Sequence, residues 1–181
     1  DAVMGWDRGW TNRKDTIQVF DAETGQFQRS FEAWQFETFL DIDIETVAPD
    51  KVIVPASSTG SREHAPTVLI QNVRTGQVEA ELEHGSQVSL VRVDPSQQYV
   101  LVETASTVHV WRVDGTYVGD VSDALPFKRK SLYIAGFREG YYVFLRESGG
   151  ERSYIVDYKR MEAVASIPRG LYNIRAAGGG S

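Results

Sequence analysis

The 181 residues are 41% hydrophobic and 24% charged, the balance of an ordinary globular chain rather than a disordered or fibrous one. A formal net charge of −6 and a pI near 5.1 argue against broad contact with a nucleic-acid backbone, and no apolar run reaches the roughly 18 residues that a membrane helix needs. The absence of cysteine excludes disulfides, zinc–thiolate sites and cysteine nucleophiles.

Taken in chain order, short alternating segments between turn clusters predict many antiparallel strands. Three come first, near residues 2–6, 16–21 and 27–31. Four follow at 39–44, 51–55, 67–73 and 77–82, then four at 88–93, 99–103, 107–113 and 117–121, and four at 132–137, 141–146, 153–158 and 163–167. A surplus strand is expected at 171–176, and no long amphipathic helix is expected anywhere.

Within this pattern one phrase recurs. Thr16-Ile17-Gln18-Val19-Phe20 runs into Asp21-Ala22-Glu23-Thr24-Gly25, and Thr67-Val68-Leu69-Ile70-Gln71 runs into Asn72-Val73-Arg74-Thr75-Gly76. Thr107-Val108-His109-Val110-Trp111 runs into Arg112-Val113-Asp114-Gly115, and a degraded copy begins at Ser153 and turns at Asp157-Tyr158-Lys159-Arg160-Met161. The leading Thr or Ser returns after 51, 40 and 46 residues. That is close to the roughly 40–45 residues of a four-stranded propeller blade.

The expected architecture is therefore an all-β propeller of about four four-stranded antiparallel blades over residues 1–177. Either the strand at 171–176 supplies the inner strand missing from the first blade and closes the ring, or the chain is part of a larger propeller. Residues 178–181, Gly-Gly-Gly-Ser, read as a linker or tail. The start at Asp1, without Met, leads to the expectation of processing or excision from something longer.

The third repeat carries the most specific signature. Glu83-His84-Gly85, then Val93-Asp94-Pro95-Ser96, then Thr107 to Arg112 with Trp111 on the third strand resembles a WD-repeat blade. The turn at Asp21 to Gly25 also resembles the quinoprotein-type propeller repeat. In the WD family a His, a Ser or Thr, an Asp and the Trp form a buried hydrogen-bonded staple. The resemblance implies structural roles for His84 and Trp111, with Ala105-Ser106 standing where the staple's Asp is expected.

Residues able to carry chemistry are few. Asp41, Asp43 and Glu45 alternate along one predicted inner strand, where carboxylates can hold a hard cation, but without an Asp-rich loop of metal-ligand spacing they are read as a solvated face. His64, His84 and His109 form no recognisable catalytic set, so no catalytic, cofactor or metal residues are assigned. Trp6, Trp10 and Arg13, with Arg8 and Lys14 beside them, give the first hairpin a basic and aromatic tip suited to a contact surface. Lys128, Arg129 and Lys130 form the basic run, on a connection expected at a propeller rim.

The expected function is a non-enzymatic scaffold that binds protein partners through its rims, among them a second polypeptide completing the propeller. A carbohydrate- or small-ligand-binding propeller, and a regulatory propeller segment of a larger enzyme, are the alternatives. Neither nucleic acid nor a membrane span enters this reading. A soluble chain is expected, with the cytoplasm slightly favoured.

Overall fold

The computed structural model describes residues 2–7, 15–33, 45–47, 50–56, 67–84, 86–125, 132–138, 142–147 and 151–168. Fifteen strands lie in these residues, in four separate antiparallel sheets. The first sheet has three strands, β1 (Ala2–Asp7), β2 (Asp15–Asp21) and β3 (Phe27–Ala33), in that order. The second has β4 (Glu45–Val47), β5 (Lys51–Ala56), β6 (Thr67–Asn72) and β7 (Val78–Glu83). The third has β8 (Val88–Val93), β9 (Tyr99–Thr104), β10 (Val108–Arg112) and β11 (Tyr117–Asp120). The fourth has β12 (Leu132–Arg138), β13 (Tyr142–Glu147), β14 (Arg152–Asp157) and β15 (Glu162–Pro168).

Each sheet is a meander in which neighbours in sequence are neighbours in space, as expected of blades built from local hairpins. The expected strands 51–55 through 163–167 fall on β5 to β15 with shifts of one or two residues. One departure has a physical cause. Val121, expected to end a strand, opens a short 3-10 turn over Val121–Ala124, because Asp120 caps it by accepting from the Ser122 backbone N–H at 2.8 Å. The inner strand expected at 39–44 lies outside the described residues; the strand pairing with β5 is β4, in the register Glu45↔Ile53 and Val47↔Lys51.

The recurring phrase is explained by its turns. Asp21 Oδ1 accepts from the N–H groups of Glu23 and Thr24 at 3.0 and 2.8 Å, and Asn72 Oδ1 accepts from Arg74 and Thr75 at 2.8 and 3.1 Å. Asp157 Oδ1 does the same for Lys159 and Arg160, both at 3.0 Å. An Asx side chain thus replaces backbone partners for two successive amides, which fixes the turn locally. The chain then needs a left-handed residue, supplied by Gly25 (φ 67°) and Gly76 (φ 75°), and by Met161 (φ 55°) in the fourth copy. Just before the turn, the pairing of the last two strands shifts register in every sheet, at Val19/Phe20, Ile70/Gln71, Val110/Trp111 and Ile155/Val156. These β-bulges add twist to each outer strand.

The second, third and fourth sheets stack face to face, and the core lies between them. Val47, Ile53, Val68, Ile70, Leu82, Val88, Val91, Val100 and Val102 fill the space between the second and third sheets. Tyr99, Leu101, Val108, Val110, Leu132, Tyr154, Val156 and Tyr158 fill that between the third and fourth. All six residues of β9 are buried, since its two faces serve the two cores.

Polar ties reinforce the stack. Arg92 on β8 donates to Glu45 on β4 at 2.8 Å. Glu103, 5% exposed, accepts from Ser89 Oγ at 2.9 Å and from the backbone N–H of Ile134 at 2.8 Å. Ser89 and Ala135 are the extra residues of bulges in β8 and β12, so the irregular backbone of two inner strands is bracketed by one carboxylate.

Candidate functional site: the joint between the second and third sheets

The turn of the third sheet sets the site. Asp114 accepts from the Thr116 N–H at 2.9 Å, and Gly115 takes φ 89°. A Cβ on Gly115 would lie 2.8 Å from the Cβ of Ala80 on β7, so this turn presses against the second sheet. Behind it Tyr117 opens β11 opposite Trp111, in register across the hairpin, and Asp120 lies opposite His109.

Four rings gather here. Trp111 and Tyr117 stand 4.7 Å apart, His84 and Trp111 meet edge to face at 5.6 Å, and His84 and His109 lie 5.1 Å apart. Tyr117 is 47% exposed, Trp111 and His109 are half-buried, and His84 is 3% exposed. The rings thus descend from solvent into the joint between the sheets. His109 Nδ1 is 3.4 Å from the Tyr117 hydroxyl.

Electrostatics follow this gradient. Burial, helped by the neighbouring His109, depresses the His84 pKa to about 4, so its ring is neutral at pH 7. Burial also lowers His109, against the opposing pull of Asp120. Burial raises the Tyr117 phenol, and Asp120 and Asp123 add to it.

The expected structural pair, His84 and Trp111, is brought together, but by ring packing. Neither ring nitrogen of His84 nor the indole N–H of Trp111 has a hydrogen-bond partner among the described residues. Thr107 Oγ1 donates to Asp120, which also accepts from Ser122 N–H and Oγ. Trp6 lies within β1, opposite Ile17. Trp10, Arg13, Lys128, Arg129 and Lys130 lie outside the described residues, as do Asp41, Asp43 and His64. Glu45 is described and is held by Arg92. Sequence reasoning missed Tyr117; its signal was an aromatic two residues beyond a turn Gly, matched by Phe27 beyond Gly25.

No family model matches the sequence. No curated protein matches it either. Solved structures do. The chain is similar to the C-terminal WD40 domain of Sif2, at 14% identity and a TM-score of 0.63, covering 92% of this chain and 43% of that one. It is similar to the beta-propeller domain of Myceliophteria thermophila Cps50 (Swd1), at 10% identity and a TM-score of 0.62, covering 93% and 54%. BamB from Moraxella catarrhalis follows at 14% identity and 0.56, covering 92% and 49%. With the four antiparallel meanders, this likeness establishes a β-propeller fold. The chain spans about half the length of the propellers it matches.

Proposed function

We propose that residues 1–177 form a propeller segment that works as a non-enzymatic platform for protein partners. The observation that carries this reading is the set of blades superposing on WD40 propellers over more than nine-tenths of the chain. A platform binds through a few aromatic and cationic anchors at its rim. Trp10, Arg13, Lys128, Arg129 and Lys130 are the candidate anchors, and Tyr117, exposed beside Trp111, adds one that the sequence pattern did not single out. Trp6, set within β1, acts with them from the strand.

One partner is a further polypeptide that completes the ring. Among the described residues the first sheet has three strands where the others have four, and the chain matches only about half of each solved propeller. The test is quantitative binding of a protein captured from source extract, repeated with Arg13, Lys128, Arg129 and Lys130 changed to Ala. An interface loses at least about 2 kcal/mol of affinity, roughly thirtyfold, while the free chain melts as before. Turnover of a small substrate by the isolated chain would replace this reading with an enzymatic one.

A further inference from the structure

We propose that two copies of this chain join head to tail, the fourth sheet of each covering Phe20 and Phe27 on the first sheet of the other. The inference rests on the reading that a further polypeptide completes the ring, and it names that polypeptide and the surfaces that meet. The described joints set the pattern, because in each the turn of one sheet presses on the outer strand of the sheet before it. A Cβ on Gly115 would lie 2.8 Å from the Cβ of Ala80, and a Cβ on Gly119 would lie 2.6 Å from the methyl of Met161. Ala80 and Gly119 hold one place in their strands, opposite Ile70 and Val110, the last residues before the register shift.

The first and fourth sheets each carry half of such a joint. Phe20 and Phe27 meet edge to face at 5.8 Å, in the register that Trp111 and Tyr117 hold in the third sheet. Trp111 packs on the core shared with the second sheet, so the matching face of the first sheet calls for a sheet before it. Phe27 is instead 57% exposed, and no described atom lies within 4 Å of where a Gly25 Cβ would stand. On the fourth sheet Ala165 lies opposite Ile155 as Ala80 lies opposite Ile70. Ile70 is fully buried under the third sheet, whereas Ile155 is half-buried and Ala165 exposed. Gly25 over Ala165 would repeat the pairing of Gly115 with Ala80. A second copy also has the right size, since one chain spans 43% and 54% of two solved propellers. Two head-to-tail contacts related by a two-fold rotation close the ring and leave neither face bare.

The experiment is sedimentation equilibrium of the full chain across the micromolar range. The expected mass is twice the 20.2 kDa of one chain. Phe27→Glu and Ala165→Arg, both at exposed positions, should each weaken the dimer at least about tenfold with an unchanged circular dichroism spectrum. Mixing the two variants should restore a dimer, because one of its two joints is then free of both changes. If Phe27→Glu does not fold, Ala165→Arg alone decides. A monomer throughout, growth past two chains, or a dimer indifferent to Ala165→Arg overturns the proposal. A monomer that still binds another protein through Phe27 leaves the ring-completing reading standing, and a monomer that binds none removes that reading as well.

Discussion

The phenol of Tyr158 donates a hydrogen bond of 3.0 Å to the carboxylate of Asp94, joining the fourth sheet to the third across 64 residues of chain. Asp94, 1% exposed, also accepts from the N–H groups of Ser96, Gln98 and Tyr99 and from the Ser96 hydroxyl. A buried carboxylate is held here by five donors from two blades, each relieving part of its desolvation cost.

Tyr158→Phe removes one donor and keeps the ring, so a loss of about 1–2 kcal/mol is expected. Asp94→Ala strands the Tyr158 hydroxyl and two or more amides, and should cost about 3 kcal/mol or more. Urea melts of the two variants check the order; an unchanged melt for Tyr158→Phe would show that its hydroxyl contributes little to the tie.

Glycine substitutions separate local strain from blade contact. Gly25 has φ 67° and nothing within 4 Å of the place a Cβ would take, so Gly25→Ala should cost about 1 kcal/mol from the left-handed backbone alone. Gly115 has φ 89° and meets Ala80 at 2.8 Å, so Gly115→Ala should cost about 1–3 kcal/mol more than Gly25→Ala. Thermal denaturation of both proteins reads the difference.

His84 gives the stability a pH dependence with a defined sign. Its folded pKa, about 4, lies below its ordinary value of 6.5, so between these values the unfolded chain binds more protons. Stability is full above pH 6.5, falls as pH drops toward 4, and loses no more from this group below that, a total of about 3 kcal/mol. The check is the melting temperature from pH 7 to 4. His84→Phe should flatten the profile between pH 6.5 and 4 relative to the parent.

Trp111→Phe tests the staple directly. The indole N–H has no partner among the described residues, so its removal forfeits no hydrogen bond and only part of a half-buried ring. The expected change is within about 1 kcal/mol. A loss of 2 kcal/mol or more in a chemical melt would show that the N–H is bonded.

The turns were legible because they are written within six residues. Asp21, Asn72 and Asp157 each organise amides two and three positions ahead, and no distant partner is needed. Met161 escaped because it takes the Gly position of the turn while its side chain packs on the core between the third and fourth sheets. The ties between blades were illegible for the opposite reason. Nothing in the neighbourhood of Glu103 announces that a bulge in β12 will present the Ile134 N–H to it, and nothing near Asp94 announces Tyr158. The His84–Trp111 pairing was legible from the blade pattern. The bond from Thr107 to Asp120 was not, because it depends on the 3-10 turn that Asp120 caps after β11.

The bulge before every outer turn has a consequence for how such a chain can grow. Each blade carries its own turn and its own twisted outer edge, both encoded within a few neighbouring residues. A long flat edge would recruit foreign strands, and the twist discourages this blade by blade rather than once for the whole assembly. Gene duplication can therefore insert or remove a blade as a finished module. What must be fitted anew each time is the joint: the apolar face packed on the next sheet and the side chains such as Arg92, Asp94 and Glu103 that reach across to it.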